Sequence, residues 1–131
     1  GEATVPKVTV TLRKSYGGAH CVMSSKQLRG DFNYAWPTAE IAVMGAAGAI
    51  EVLEGRAISK IENAEEKAKF IADKTAEYND KFANPYMAAS YGYIDDVIEP
   101  RNTRFRVIRA FQALQTKKQV NPLKKHSNIP L

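Results

Sequence analysis

The stretch KVTVTLRKSYGGAHCVM, from Lys7 to Met23, combines the signals of a strand, a turn and a helix. Apolar residues alternate with polar ones in its first half, as on a strand with one apolar face: Val8, Val10 and Leu12. Gly17 and Gly18 then predict a sharp turn, and the residues from Ala19 onward predict a helix. This order predicts an α/β unit in which the first N–H groups of the helix have no partner inside it. Such groups bind anions.

The size and composition are those of one ordinary globular domain. The chain has 131 residues, of which 44% are hydrophobic and 25% charged, which supplies one apolar core. No apolar run approaches the roughly 20 residues that span a bilayer, and no stretch has the pattern of a signal peptide. Cys21 is the only cysteine, so no disulfide framework forms within the chain and a reducing compartment is favoured. We expect a cytoplasmic protein without direct membrane insertion.

Positive charge is concentrated towards the carboxyl end. The net charge is +5, but residues 101–131 contain eight Lys and Arg and no Asp or Glu, so the first hundred residues carry −3. This basic part fits either contact with nucleic acid or phosphate, or a solvated helix face and tail. The usual nucleic-acid motifs are absent and aromatic residues do not alternate with the charges. We therefore expect no nucleic-acid partner.

Further elements follow along the chain. GDFNYAWP, residues 30–37, predicts a turn and a short aromatic strand, and Thr38 is expected to cap a helix with Glu40 in its first turn. That helix is rich in glycine and alanine, so we expect it to be buried on several sides. Asn63 begins the clearest helix of the chain. Its expected apolar face recurs at steps of four and three: Ala64, Ala68, Ile71, Thr75, Tyr78 and Phe82.

The last third predicts short elements and a second amphipathic helix. Residues 84–92 predict a break and a helical turn, and residues 93–100 a short extended segment. The second helix is expected over 103–118, with apolar residues inward and arginines outward. The inward set is Phe105, Ile108, Phe111 and Leu114, and the outward set is Arg104, Arg106 and Arg109.

The glycine turn is the strongest candidate for chemistry. Two functions remain open for Gly17, Gly18 and Ala19. Their backbone amides form an oxyanion hole for developing negative charge, or the glycines serve only the backbone angles of a tight turn.

Side-chain chemistry is poorly supported elsewhere. Cys21 fits a nucleophile near a helix start or a small core residue, and His20 is badly placed as its base because adjacent helical residues point about 100° apart. Asp95 and Asp96 face opposite sides of an extended segment, which favours structural roles over a shared acid and base. His126 lies in a basic tail. The sequence contains no cluster of His, Cys, Asp and Glu with the spacing of metal ligands. If the chain serves an enzyme, its catalytic groups are backbone amides.

Four blocks in order resemble the biotin-dependent acyl-CoA carboxyltransferases, and most of all the propionyl-CoA carboxylase beta subunit family. They are PKVTVTLRKSYGGAHCVMSSK, DFNYAWPTAEIAVMGAAGA, KFANPYMAASYGYIDDVIEPRNTR and KKHSNIPL. The resemblance runs from Pro6 to Leu131 and is weakest over residues 51–66. It implies a crotonase-like (ClpP/crotonase) fold, with residues 1–131 forming the later part of the carboxyltransferase C-terminal domain. We expect the chain to be part of a longer protein, with Gly1 a remnant of a removed tag.

The resemblance also implies a reaction and its partners. The amides of Gly18 and Ala19, next to Gly17, are the expected oxyanion hole for the ureido oxygen of biotin. Carboxybiotin, on a separate carrier or biotin carboxylase subunit, would give CO2 to the α-carbon of a short acyl-CoA, and no metal is implied. The acyl-CoA half of such a site belongs to another domain at a subunit interface. The chain alone is therefore expected to be inactive. We also expect it to self-associate, and the complete protein to be a homo-oligomer.

Two positions of the motif depart from the family pattern. Cys21 stands where propionyl-preferring members often carry Asp, and His20 replaces a more common Tyr. Both positions are expected to tune acyl length, so they bear on the substrate and not on the reaction. Propionyl-CoA is the first expectation. The alternatives are the alpha subunit of a biotin-dependent decarboxylase, acting on methylmalonyl-CoA or glutaconyl-CoA, and a non-catalytic interaction module.

Overall fold

A computed structural model describes residues 1–121 and residue 123, so His126 lies outside the described residues. The strands are β1 (Val8–Thr11), β2 (Lys14–Tyr16), β3 (Phe32–Ala35), β4 (Glu40–Ala42) and β5 (Asp96–Val97). The helices are α1 (Gly17–Val22), α2 (Ala46–Ile58), α3 (Ala64–Lys81), α4 (Pro85–Ser90) and α5 (Thr103–Ala113). Short 3₁₀ helices occupy Lys26–Leu28 and Pro100–Asn102.

The five strands form two small parallel sheets. The first sheet has the order β1-β3-β5, with Val8 opposite Phe32 and Tyr34 opposite Asp96. The second pairs β2 with β4, with Tyr16 opposite Ala42. Parallel neighbours need crossover connections, and helices or turns fill them here. The predicted α/β class, the first strand and the aromatic strand β3 are confirmed.

Strand β3 is the centre of the core. Because successive residues of a strand point to opposite faces, Tyr34 and Ala35 enter two different apolar clusters. Tyr34 packs with Ile98 and Ala110. Ala35 packs with a second group of small and branched side chains: Ala39, Ile41, Ala88 and Ile94. Strand β3 is therefore buried on both faces, with α5 packed through Ala110 on one face and α4 packed through Ala88 on the other.

The helix expected at Thr38 is wrong. Residues 40–42 form β4 instead, and the Glu40 N–H donates to the Arg13 carbonyl at 2.7 Å. The Thr38 hydroxyl donates to the Leu12 carbonyl at 3.4 Å and caps no helix. Pairing with β2 outweighs the local capping signal, and α2 begins only at Ala46, after Gly45 as its N-cap residue.

Burial of α2 is confined to one side, contrary to the expectation. Ala49 and Ile50 are buried, whereas Gly48 is exposed and Val52 and Leu53 are 72% and 67% exposed. The buried side packs on α3. The glycine and alanine content of α2 therefore does not correspond to burial on several sides.

Helix α3 begins as predicted. The Asn63 side chain accepts hydrogen bonds from the N–H groups of Glu65 and Glu66, at 2.8 and 3.4 Å. Ile71 and Tyr78 of the expected apolar face are half-buried, but the outer members of that face, Ala64, Ala68 and Phe82, are exposed. The face is therefore shorter than the pattern suggested, because α2 covers only its middle.

Helix α5 is shorter than predicted, and its predicted orientation is only partly correct: Arg104 and Arg109 are exposed as expected and Leu114 is half-buried, but the other expected inward residues are exposed. Its apolar residues Phe105, Ile108 and Phe111 are exposed, while Ala110 is buried against the first sheet. Arg106, expected outside, pairs with Asp96 and lies over the Tyr34 ring at 5.5 Å. The close approach of helix and sheet admits the small alanine side chain, which places the bulky residues on the outer face.

Candidate functional site

The glycine turn lies where β2 ends beside the end of β4. Tyr16 is extended, with φ −119° and ψ 139°, and Gly17 has the left-handed φ of +53°. Gly18 and Ala19 follow in the first turn of α1, where N–H groups have no partner within the helix. A strand thus turns directly into a helix, as the sequence predicted, and a glycine supplies the left-handed angle.

The two glycines have different surroundings. A Cβ at Gly17 would lie 2.8 Å from the Val43 carbonyl oxygen, so the segment after β4 closes one side of the turn. A Cβ at Gly18 would meet nothing within 4 Å. Gly18 and Ala19 are both exposed. The turn therefore rests on β4 on one side and is open on the other.

His20 is held by the strand that precedes the turn. Its Nδ1 lies 2.9 Å from Oγ of Ser15 on β2, and its Nε2 is buried without a hydrogen-bond partner among the residues described. Burial lowers the pKa of His20 below its ordinary value, because it disfavours the imidazolium. The His20 side chain is thus held by Ser15 on β2, and no hydrogen bond joins it to Cys21 among the residues described.

A mostly apolar cavity of about 580 Å³ opens next to the turn. Gly17, His20 and Cys21 contribute to its wall together with β4, and none of the described residues that line it is Asp, Glu, Lys or Arg. The far wall is made by large side chains of α2, α3 and the α4 region: Leu53, Tyr78, Phe82, Met87, Tyr91 and Tyr93. The structure therefore places Cys21 in the wall of an uncharged cavity that adjoins the turn at Gly17.

Tyr16 and Glu40 belong to the surroundings of the turn but were not predicted as site residues. The Tyr16 hydroxyl donates a hydrogen bond to the Glu40 carboxylate. Burial, the hydrogen bond to Glu40 and the charge of that carboxylate raise the pKa of Tyr16 to about 12. The sequence did show a tyrosine directly before the glycine pair. It did not show that Glu40 is its partner, because Glu40 was assigned to a helix and in fact lies on β4.

The remaining candidates have structural roles. Asp95 accepts from the Asn33 N–H at 2.7 Å and pairs with Lys26 at 2.8 Å, whereas Asp96 pairs with Arg106. The two carboxylates thus serve different partners, as predicted. Within residues 1–121 and 123, no group of three or more His, Cys, Asp and Glu is placed to hold a metal ion. No helix in the same part of the chain has the length and apolar character to cross a membrane.

The chain that carries this turn matches a known class of domain. The family model described as "Carboxyl transferase domain" matches residues 1–129, so the chain belongs to the carboxyl transferase family. The propionyl-CoA carboxylase beta chain of Cereibacter sphaeroides is 60% identical over 131 residues, which are 100% of this chain and 24% of that protein. The methylmalonyl-CoA decarboxylase subunit alpha of Propionigenium modestum is 52% identical over 130 residues, 99% of this chain and 25% of that protein.

A solved structure confirms the fold class. Transcarboxylase 12S, with methylmalonyl-coenzyme A and methylmalonic acid bound, matches with a TM-score of 0.86 and 46% identity, over 99% of this chain and 24% of that one. The fold is the crotonase-like carboxyltransferase fold, as the resemblance implied. The chain spans about a quarter of the length of the curated relatives it matches.

Proposed function

We propose that the chain is part of a longer carboxyltransferase subunit of a biotin-dependent acyl-CoA carboxylase, with propionyl-CoA as its first expected substrate. The observation that carries this proposal is the family match over residues 1–129, which includes the open turn at Gly18 and Ala19. The relative from Cereibacter sphaeroides that bears the name propionyl-CoA carboxylase supports the substrate.

The donors at the turn suit the oxygen of a biotin ureido group. They are backbone N–H groups at a helix start, which carry partial positive charge, and the side of Gly18 where a Cβ would stand is free of other atoms within 4 Å. Carboxybiotin, when bound, supplies the carboxyl group as CO2. Gly18 and Ala19 would then hold the ureido oxygen as negative charge develops on it, with Gly17 shaping the turn. A donor of this kind contributes about 3–4 kcal/mol to a transition state in other enzymes.

The cavity beside the turn supports a role for Cys21 and His20 in acyl selection. Both residues line it, and the described lining carries no charged side chain, so an apolar acyl chain is favoured over a charged one. The neutral state of His20, held by burial, fits the same surroundings. We infer that the two positions set the length of the acyl group.

Decarboxylation is the second candidate reaction. The relative named methylmalonyl-CoA decarboxylase subunit alpha is 52% identical, close to the values for the carboxylase beta chains. The same amides would serve both directions of carboxyl transfer, so partner subunits would decide between them. A non-catalytic interaction module is the third candidate, and it requires that removal of the Ala19 amide leaves activity unchanged.

The site would be completed by other parts of an assembly. We propose a homo-oligomer with the active site at a subunit interface, in which another domain binds the acyl-CoA and a separate carrier or biotin carboxylase subunit presents the biotin. The hexamer assembly described for transcarboxylase 12S supports an oligomer. We propose a cytoplasmic location and expect the chain alone to be inactive, so that turnover by the purified 131-residue chain would contradict this part.

The test removes one amide donor and keeps the chain fold. In the full-length subunit, carboxyl transfer from methylmalonyl-CoA and from malonyl-CoA to free biotin is measured for wild type and for Ala19→Pro. Proline lacks the N–H and is tolerated in the first turn of a helix. We expect kcat to fall about 100-fold or more, with circular dichroism showing that the fold is kept.

Ala19→Gly is the matched control, since it keeps the amide and changes only the exposed methyl group. We expect it to retain most of the wild-type rate. The ratio of rates with the two CoA esters ranks propionyl-CoA against acetyl-CoA as acceptors. Equal transfer in Ala19→Pro and wild type would mean that the turn is structural, and no transfer in wild type would reject the proposed reaction.

A further inference from the structure

The glycine turn has little of its own to fix its direction. Gly17 and Gly18 carry no side chains, Gly18 and Ala19 are exposed, and a Cβ at Gly18 would meet no neighbour within 4 Å. Glycine also has the largest conformational freedom of any residue. The direction of the Gly18 and Ala19 N–H groups must therefore be set by the residues that flank the turn.

Tyr16, directly before the turn, is connected to β4 in two ways. It is the last residue of β2 and stands opposite Ala42 of β4 in the parallel register. Its hydroxyl donates to the carboxylate of Glu40, which lies two residues earlier on the same strand β4. Side chains two residues apart on a strand share a face. The tyrosine therefore lies across β4 and ties the start of the turn to it.

The same ring also covers the start of α2. A Cβ at Gly45, the N-cap residue of α2, would lie 3.2 Å from the Cε2 atom of Tyr16. Glycine at this position leaves room for the ring. Between Glu40 and Gly45 stands Val43, whose carbonyl oxygen closes the side of Gly17. One side chain thus contacts both ends of the segment that supports the turn.

We propose that Tyr16 and Glu40 form a positioning pair that fixes the direction of the Gly18 and Ala19 amides. The role rests on the function proposed above, because it matters only if these amides act on a bound group. The pair touches no substrate and acts through Gly17, whose backbone continues directly from Tyr16. Its loss misaligns the donors without removing them, and a misplacement of about 1 Å is enough to cost a large part of a catalytic rate.

The test measures carboxyl transfer from methylmalonyl-CoA to free biotin in the full-length subunit. Tyr16→Phe removes the hydroxyl and keeps the ring over Gly45. We expect kcat to fall about tenfold, with the KM for methylmalonyl-CoA changed less than about twofold, because the donors serve the transition state. Glu40→Gln keeps an acceptor and is expected to retain most of the rate, whereas Glu40→Ala is expected to lose as much as Tyr16→Phe.

The double variant Tyr16→Phe with Glu40→Ala is expected to be no slower than either single variant, because residues that act as one unit are not additive. Thr103→Val is the matched control: it loses one side-chain hydrogen bond, the 2.9 Å bond from Trp36 Nε1, which joins the residue after β3 to the start of α5. Its kcat should equal that of wild type even if its thermal stability falls.

Three results would overturn the pair. One is wild-type kcat in Tyr16→Phe, and another is a loss in Glu40→Gln as large as in Glu40→Ala. The third is a loss of kcat in Thr103→Val equal to that in Tyr16→Phe, which would trace the effect to stability alone. A wild-type subunit without transfer to biotin would reject the proposed function and the pair together, whereas active wild type with unaffected variants rejects the pair only.

Discussion

Two glycine turns, at Gly17 and at Gly30, stand in contrast. Gly17 has a φ of +53°, one close neighbour and an exposed successor. Gly30 is buried, and a Cβ there would fall 2.2 Å from the Ser24 carbonyl oxygen and 2.9 Å from that of Ser25. Its N–H donates to the Ser25 carbonyl at 2.8 Å. The first turn leaves backbone donors open, and the second uses its donor within the fold.

The contrast shows that glycine answers two different physical needs here. At Gly17 the need is a left-handed backbone angle, and at Gly30 it is the close approach of two backbone segments. The loop before Gly30 also holds Ser24 and Arg29 at φ of 65° and 64°, which side chains disfavour. Hydrogen bonds from Thr9 Oγ1 to the carbonyls of Met23 and Ser24, at 3.2 and 3.1 Å, help to hold it. The closed turn is thus a stability element and the open turn a candidate site.

The largest effect is expected from Gly30→Ala. The new methyl group would collide with two backbone carbonyl oxygens, which cannot move as a flexible side chain would. We expect a loss of about 3 kcal/mol or more in the free energy of unfolding, measured by urea-induced unfolding of the 131-residue chain. Gly55→Ala in α2 is the control, because a Cβ there meets nothing within 4 Å, and it should gain up to about 1 kcal/mol. Equal stability of the two variants would contradict the closed turn.

A smaller loss is expected from Gly17→Ala. The strain of a left-handed non-glycine residue costs about 1–2 kcal/mol, and the Val43 carbonyl oxygen at 2.8 Å from the new Cβ adds to it. Gly18→Ala, one residue on, is the matched control and should be neutral or slightly stabilising, since its side is open. The same unfolding measurement separates them. If Gly18→Ala were the more harmful of the two, the turn would be closed where the structure has it open.

The sequence predicted the parts of this contrast that local patterns encode. Alternation in residues 8–12 gave β1, the glycine pair gave the turn at Gly17, and Asn63 gave the start of α3. The motif itself pointed to Gly18 and Ala19 through its family resemblance. The strand, turn and helix-start signals depend on residues close together in the sequence, so they can be recognised without knowing the fold.

Long-range pairing explains what the sequence did not predict. Thr38 has the local signature of a helix cap, but Glu40 lies on β4, which pairs in parallel with β2. No sequence pattern near Glu40 indicates that β2 is its partner strand. The orientation of α5 depends on how closely it approaches β3, which only the folded chain shows. At Gly30 the sequence predicted a turn, but it did not predict the close approach of the Ser24 and Ser25 carbonyl oxygens to that residue.

The smallest expected effect concerns Asp31, which ties the closed turn to both ends of the described chain. Its carboxylate accepts from the Lys7 N–H at 2.7 Å and from Lys117 Nζ at 2.8 Å, and the same ammonium donates to the Val5 carbonyl at 2.9 Å. The side chains of Asp31 and Lys117 are only 18% and 11% exposed. Burial by itself would raise the pKa of the Asp31 carboxyl. The hydrogen bonds from Lys117 and Lys7, with their positive charges, outweigh burial and lower that pKa.

A carboxyl whose pKa is lowered by folding stabilises the native state above its unfolded pKa of about 3.9 and loses that stabilisation as pH falls through the folded value. Asp31→Asn should therefore cost about 1–2 kcal/mol at pH 7, and its difference from wild type should shrink below about pH 4. Urea-induced unfolding at a series of pH values measures this, with Asp73→Asn on the exposed side of α3 as the control. A difference that stays constant into strong acid would show that the aspartate acts by shape and not by charge, and the closed turn would then depend on backbone packing alone.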